Sequence, residues 1–388
     1  MALFKHKRMD TGKTLREDST GLMDLSFLLL VILLTLIGLL MLFSASYARA
    51  NWEKNGDSAF YFRRQVYFAV IGFVGMLVAG RLNYFIWFRT ALLILIVSLG
   101  LLALVPLIGT EVNGAKRWLK IGILFQPSEL VKLGMVFSFA AMMAAWQNRM
   151  DTFKYGVLPY VSILGLIAGL LILEKHLSAT MIIFVIGAVM MLLGGTQKRW
   201  LLLGVLLGLT FLLIYTTTRG YAGGRITAWQ NPESQPQGSG YQIIQSKYAI
   251  GSGGFLGLGL GRSRQKYLYL PEEINDYIFA IVCEELGFVG AVGILVLFAL
   301  LILRGYWIAL HARDRFGTIL AAGLTTKLAI QVFLNVSVVT GLTPPTGISL
   351  PFFSSGGTAL LLQLFEMGIL LSISRWCTNK EVTGRVNA

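Results

Sequence analysis

Long apolar runs separated by short polar segments recur along almost the whole chain. They predict ten membrane-spanning helices, at Leu25–Ser46, Val66–Gly80, Thr90–Gly109, Leu130–Trp146, Gly156–Leu173, Leu177–Gly195, Trp200–Tyr215, Tyr277–Leu303, Thr318–Thr340 and Thr358–Ile373. Only a few residues separate the fifth and sixth runs, so nine spans is the alternative. The segments of about ten alternating residues that are typical of a membrane β-barrel are not seen. The predicted fold class is therefore all-α, a polytopic membrane protein whose helices satisfy their own backbone hydrogen bonds in lipid.

Composition supports this class and excludes others. The 388 residues are 55% hydrophobic and 13% charged, with a formal net charge of +14. The Lys and Arg residues are spread over many short loops, which argues against nucleic-acid binding and favours contact with anionic membrane lipids. The two cysteines and three histidines share no ligand spacing, so we expect no disulfide and no metal site.

The distribution of positive charge predicts the topology. Residues 1–24 are hydrophilic, so the first apolar run is expected to be an uncleaved anchor rather than a signal peptide. When the long polar loop 216–275 is discounted, the positive-inside rule places both termini in the cytoplasm and this loop outside. We therefore expect a cytoplasmic tail at 1–24, a membrane domain at 25–374 and a second cytoplasmic tail at 375–388.

The long polar loop is the first candidate site. It ends in PEEINDYIFA, which places Asp276 at the start of an apolar helix. A carboxylate in that position is often a simple helix cap. Here a functional role is favoured because the same loop is rich in cations, a setting that suits chemistry on an anionic lipid. The cations of the loop are Arg219, Arg225, Lys247, Arg262, Arg264 and Lys266.

A second polar segment precedes the fourth predicted helix. Pro127 suits the first turn of that helix, and acidic residues suit its positive end. The segment is either an amphipathic re-entrant loop with a good cap or a cationic cradle for a diphosphate beside an aromatic ring. Its candidate binding residues are Glu111, Lys116, Arg117, Trp118, Gln126, Ser128, Glu129 and Lys132.

Two further segments cannot form ordinary helices. The apolar stretch GLTPPTGISLPFFSSGG before the last helix is rich in Pro and Gly, so we predict a re-entrant loop that lines a pocket. The run GSGGFLGLGLGRS lacks the strand–turn–helix setting and the Lys-Ser/Thr ending of a phosphate-binding loop. We expect its backbone to lie against a ligand or another helix.

Several charged residues fall inside predicted helices, where an unpaired charge costs at least about 2.5–3.5 kcal/mol. Lys327 is expected to pair with Glu284, Glu285 or Glu366. A structural ion pair is the simpler interpretation, and a path for protons or ions is the alternative.

Five motifs in this order resemble the SEDS family (shape, elongation, division and sporulation), most closely its division and sporulation branch and less closely its elongation branch. They are NGAKRW, FQPSELVK, GYQIIQSKYAIGSGGFLGLGLG, PEEINDYIFAIVCEELGFVGA and GISLPFFSSGG. The resemblance implies a peptidoglycan glycosyltransferase that polymerises lipid II outside the bacterial cytoplasmic membrane, at the division septum. It also implies that the protein acts together with a class B penicillin-binding protein of the FtsI type and with other divisome proteins.

The resemblance assigns the family's essential aspartate to Asp276 and its basic loop to Lys116, Arg117 and Trp118. Because a sugar hydroxyl is a poor nucleophile, we expect Asp276 to act as general base, with Glu111 as a rival. Lys116 and Arg117 are the first candidates to stabilise the departing diphosphate, followed by Arg262, Arg264 and Lys266.

The chain departs from the family in one motif. Lys175-His176-Leu177-Ser178-Ala179 stands where the family usually has Pro-Asp-Leu-Gly-Thr, so the role of that acid does not carry over. No cofactor is assigned, and a requirement for Mg²⁺ or Mn²⁺ is left open. A lipid II flippase and a non-catalytic division scaffold are the alternative functions.

Overall fold

The structure, a computed structural model, describes residues 21–112, 115–174, 176–218, 220–234 and 238–377. Most of both predicted tails lies outside the described residues. Asn113 and Gly114 of the NGAKRW motif, Lys175 and Arg219 also lie outside them.

Helices dominate the chain. They are α1 (Leu25–Glu53), α2 (Phe60–Arg81), α3 (Phe85–Ile108), α4 (Pro127–Ala145), α5 (Phe153–Gly156), α6 (Leu158–Leu173), α7 (Leu177–Gly194), α8 (Lys198–Thr218), α9 (Gly220–Gln230), α10 (Ser239–Gly253), α11 (Ile278–His311), α12 (Arg315–Val339) and α13 (Gly357–Ser374). Two of them begin at residues that are typical of helix starts. Pro127 opens α4, and the Asp24 side chain accepts a hydrogen bond from the amide of Phe27 at the start of α1.

Within the described residues, nine helical spans are long and apolar enough to cross a membrane, and they coincide with nine of the ten predicted spans. The remaining predicted span, Trp200–Tyr215, falls within α8. The fifth and sixth predicted spans are separate helices, α6 and α7. The helices α4 and α12 are the most buried spans, so they form the centre of the bundle.

A small antiparallel sheet stands between α3 and α4, where the sequence predicted a loop. Its strands are β1 (Thr110–Val112), β2 (Ala115–Ile121) and β3 (Ile123–Phe125), in the order β1-β2-β3. Ile121 pairs with Ile123 across a turn at Gly122. The strands follow a short alternation in which Lys120 is exposed and Leu119 is buried, a pattern typical of a half-buried strand.

The long helix α11 is broken near its start. Gly287 has a φ of 67° and a ψ of −170°, a conformation that favours glycine. The glycine loop, residues 254–263, lies against the break: the amides of Leu258 and Gly259 donate to the carbonyls of Glu284 and Glu285 at 3.0 Å each. Because the loop supplies these partners, the backbone groups freed by the break are satisfied at membrane depth.

The segment 341–356, between α12 and α13, is non-helical and largely buried, as predicted for a re-entrant loop. Phe353 is 0% exposed and Leu350 is 1% exposed. At Gly38 of α1, a Cβ would lie 2.4 Å from the carbonyl oxygen of Phe352. The segment is therefore packed inside the helix bundle, where its irregular backbone is shielded from lipid.

Candidate functional site

Asp276 lies in the acidic segment, residues 271–277, directly before α11. Its side chain is half-buried, and the backbone of Gly347 lies so close that a Cβ there would be 3.3 Å from Asp276 Oδ2. Asn335 Nδ2, on α12, donates to the carbonyls of both Asp276 and Ile348 at 2.7 Å each. The aspartate is thus held between α12 and the 341–356 segment.

A second set of hydrogen bonds fixes the acidic segment. Ser354 Oγ donates to the carbonyl of Asn275 at 2.7 Å, and the amide of Ser355 donates to the carbonyl of Ile274 at 2.8 Å. On the other side of the segment, Arg49 Nη2 of α1 lies 2.9 Å from Glu273 Oε2. The backbone around Asp276 is therefore anchored on both sides, which preorganises its carboxylate.

The electrostatic setting of Asp276 suits proton transfer. Burial and the nearby Glu272 carboxylate raise the pKa of Asp276 to about 7, and the Arg225 and Arg117 guanidinium groups oppose that rise. A carboxyl group with this pKa is partly ionised near pH 7 and is well matched to general-base chemistry there.

Two arginines from distant parts of the chain thus converge on Asp276. Arg117 comes from β2, and Arg225 comes from α9, where its Nη1 donates to the carbonyl of Pro345 at 3.0 Å. Planar guanidinium groups near an acid suit a site that binds phosphate oxygens. The sequence named Arg225 only as one of several loop cations, because nothing in the linear pattern separates it from the others.

Arg117 also acts electrostatically on two buried residues, Glu174 and His176. Glu174 Oε1 and His176 Nδ1 lack a hydrogen-bond partner. Burial raises the pKa of Glu174 to about 8, against the opposing effect of Arg117. Burial and the neighbouring cations Arg117 and Lys132 lower the pKa of His176 to about 3, so this histidine is neutral. Glu174 was not among the residues predicted for the site, although an acid between two apolar runs was a usable signal.

The other residues of the second polar segment differ in their exposure. Glu111, Lys116 and Lys120 are exposed on the sheet, whereas Trp118 and Gln126 are half-buried. Ser128 is buried, and its Oγ has no hydrogen-bond partner. The predicted cradle is therefore only partly assembled around Asp276, with Arg117 as its clearest member.

Glu129 and Lys132 belong instead to a buried ion cluster, defined here as Glu129, Lys132, Lys327 and Glu366. Lys132 Nζ lies 2.6 Å from Glu129 Oε1, and Lys327 Nζ lies 4.0 Å from Glu129 Oε2. Lys327 also donates a hydrogen bond to Glu366. The predicted role of Glu129 and Lys132 in substrate binding stays a prediction, and their charges are paired with each other and with Lys327.

The remaining predicted partners of Lys327 lie elsewhere. Glu284 accepts from the Arg264 amide at 2.9 Å and from the Ser263 hydroxyl, and Glu285 accepts from Lys266 Nζ at 3.1 Å. Lys266 is 2% exposed, because the return of the glycine loop to the break in α11 brings it onto the Glu285 carboxylate. Its predicted role at the leaving group stays a prediction. Arg262 and Arg264 have exposed side chains.

Within the part of the chain that the structure describes, no cluster of three or more His, Cys, Asp or Glu side chains is arranged to hold a metal ion. The setting of Asp276 combines its own carboxylate, the nearby Glu272 carboxylate, two guanidinium groups and the backbone that positions them.

Comparison with known proteins gives a consistent result. The family profile of FtsW, RodA and SpoVE, described as "Cell cycle protein", matches residues 24–379. A probable peptidoglycan glycosyltransferase FtsW of Trichlorobacter lovleyi is 41% identical over 93% of this chain and 96% of its own length. The stage V sporulation protein E of Bacillus subtilis is 40% identical over 91% of this chain and 97% of its own length.

Two solved structures share the fold. A chain from a peptidoglycan synthase complex that coordinates polymerization and crosslinking has a TM-score of 0.75 and 28% identity, and the match covers 91% of this chain and 98% of that one. The rod shape determining protein RodA of Thermus thermophilus has a TM-score of 0.68 and 27% identity, and the match covers 92% of this chain and 98% of that one.

Proposed function

Because the chain belongs to the FtsW/RodA/SpoVE family of cell cycle proteins, we propose that it is a peptidoglycan glycosyltransferase of cell division. In this proposal it polymerises lipid II into glycan strands on the outer face of the bacterial cytoplasmic membrane. The observation that carries the proposal is the setting of Asp276, a half-buried carboxyl group with a pKa of about 7 in the field of two arginines.

The reaction joins a sugar hydroxyl of one substrate to the anomeric carbon of another. As the hydroxyl oxygen forms the new C–O bond, its proton moves to the Asp276 carboxylate. The anomeric C–O bond to the lipid diphosphate breaks, and its electron pair leaves with the diphosphate. Direct displacement with inversion is the simplest course, since no second carboxylate is assigned as a nucleophile.

Positive charge at the leaving group completes the proposed machinery. Charge builds up on the diphosphate as its bond breaks, and preorganised cations in a site shielded from water stabilise that charge. Arg225 and Arg117 are the best-placed cations, because both act electrostatically on Asp276. Lys116, exposed beside Arg117 on β2, and the exposed Arg262 and Arg264 are proposed as further contacts with the substrate.

The cellular setting follows from the relatives. One related chain comes from a complex that couples polymerization to crosslinking, so we propose a class B penicillin-binding protein as partner and other divisome proteins around the pair. We also place residues 25–374 in the membrane at the septum, with both tails in the cytoplasm.

The test uses the purified protein, with and without its penicillin-binding partner, incubated with lipid II. Polymer is expected from the wild type and none from Asp276→Asn. The matched control Asp151→Asn changes an exposed aspartate and should leave polymer formation intact. If Asp276→Asn forms polymer at the wild-type rate, Asp276 is not the general base. Translocation of lipid II across vesicles without polymer formation would favour the flippase instead.

A further inference from the structure

A groove that plays no part in the proposed chemistry lies between α10 and the 3-10 turn Pro232–Ser234, which follows α9. It encloses about 430 Å³, which falls within the range of about 300–1,000 Å³ for small-molecule sites. We call it the α9–α10 groove. Its lining residues are Asn231, Pro232, Glu233, Ile244, Lys247 and Tyr248.

Three contacts tie the groove to the neighbourhood of Asp276. Trp229 Nε1, two residues before Asn231, donates to the carbonyl of Gly341 at 2.8 Å. A Cβ at Gly341 would lie 2.9 Å from Lys247 Cε, so the Lys247 stem lies against that residue. Gly341 opens the same non-helical segment whose Gly347 lies against Asp276.

The groove lies close to Arg225 along the chain. Arg225 acts electrostatically on Asp276, and Asn231 follows six residues later. Six residues correspond to about 9 Å of helical rise. The groove thus begins at the end of the helix that carries Arg225, and Lys247 of the groove and Asp276 both lie against the 341–356 segment.

The lining has the chemistry of a saccharide site. Tyr248 is 62% exposed, so its ring is available to the apolar face of a sugar, beside Ile244 and Pro232. An amide, a carboxylate and an ammonium group from Asn231, Glu233 and Lys247 supply donors and acceptors for hydroxyl and acetamido groups. Because the two charges are opposite, the groove has no excess of cations for a diphosphate.

We propose that the α9–α10 groove binds the sugar units of the glycan strand next to the point of polymerisation. This inference rests on the proposed function and adds a subsite to it. A strand held in the groove stays with the enzyme between successive additions, so the groove sets the length of the product more than the rate of a single addition.

The test compares Tyr248→Ala and Asn231→Ala with the control Tyr269→Ala, whose ring is similarly exposed at 58% but does not line the groove. Each variant is assayed with lipid II and its partner. An aromatic contact worth about 0.5–1.5 kcal/mol corresponds to an effect of about 2-fold to 12-fold. Mean strand length should fall by that factor in the groove variants, with the initial rate of lipid II consumption within about twofold of the wild type. The control should match the wild type in both.

A binding assay separates this inference from the proposed function. Saturation-transfer NMR with a peptide-free, N-acetylated tetrasaccharide should show contact with the wild type and with Asp276→Asn, and a clear loss with Tyr248→Ala. If the tetrasaccharide binds in a Tyr248-dependent way but the wild type makes no polymer, the groove would remain a saccharide site and the proposed glycosyltransferase activity would be refuted. Equal binding and equal strand length in all variants would overturn the groove. The groove variants could instead shorten the strands only when the substrate carries its stem peptide. That result would assign the groove to the peptide and would also overturn the proposal that it binds sugar units.

Discussion

The buried ion cluster offers a sharp test of what holds the centre of the bundle together. Lys327 is 1% exposed and Glu366 is 0% exposed, and the two side chains are hydrogen-bonded to each other. The test compares Lys327→Met, Glu366→Gln and the double variant. Each single change leaves a charge without its main partner, whereas the double change removes both charges and leaves the Glu129–Lys132 pair at 2.6 Å.

The expected size follows from the burial of both partners. Removing one partner of a buried pair typically costs about 3–5 kcal/mol, whereas replacing both by groups of similar volume is often close to neutral. We therefore expect each single variant to lose about 3–5 kcal/mol and the double variant to lose about 1–2 kcal/mol, because Glu129 also loses Lys327 as a neighbour. At roughly 2 °C per kcal/mol for a large domain, the single variants should melt about 6–10 °C lower than the wild type.

The assay is the fraction of monodisperse protein that remains after heating in detergent, measured by size-exclusion chromatography. The control Arg63→Met breaks the Arg63–Asp57 pair, in which Arg63 is 57% exposed, and should lose less than about 1 kcal/mol. Single variants as stable as the wild type, or a double variant no more stable than either single one, would refute this account. A double variant that folds and still polymerises lipid II would also exclude an essential proton path through the pair.

Three more expectations concern other parts of the chain. Arg225→Gln removes a cation that lowers the pKa of Asp276, so the acid limb of the rate–pH profile should move to higher pH; an unmoved limb would place Arg225 away from the base. Burial raises the pKa of Glu174 from 4.5 to about 8. The contribution of this carboxyl group to the stability of the protein is therefore present below about pH 4.5 and is lost as pH rises through 8. The melting temperature of Glu174→Gln, measured across this pH range, should not show that loss. Gly287→Ala places an alanine at positive φ, with its Cβ 2.3 Å from the glycine loop. The expected cost in stability is about 1–3 kcal/mol or more. The control Gly293→Ala adds a Cβ where the space is open and should match the wild type in the same heating assay.

The linear pattern predicted the helices well because membrane depth imposes long apolar runs on the sequence. It also predicted the non-helical 341–356 segment, since its prolines and glycines exclude a helix. It did not reveal the break in α11, because Gly287 lies inside a segment that the sequence predicted as one helix, Tyr277–Leu303. That break depends on the glycine loop returning to it, a contact between segments that only the folded chain brings together.

Only part of the candidate site could be predicted from the sequence, because its other residues come together only in the folded chain. Asp276 and Arg117 stood out by their local surroundings, and the structure puts them in one electrostatic field. The choice between Arg225 and Lys266 could not be made from sequence, because both are cations in one polar loop. Lys266 meets Glu285 only after the loop folds back, and Arg225 reaches Asp276 only because α9 docks on the carbonyl of Pro345.

The interruption at Gly287 divides α11 into two parts with separate partners. The short first part follows the acidic segment, which α1, α12 and the 341–356 segment hold in place. The longer part continues to His311. At the junction, the amides of Phe288 and Val289 donate to the carbonyls of Gly254 and Phe255 at 2.9 Å and 3.1 Å. The glycine loop therefore caps the longer part of the helix as well as the shorter one, so a change in that loop would act on both parts at once.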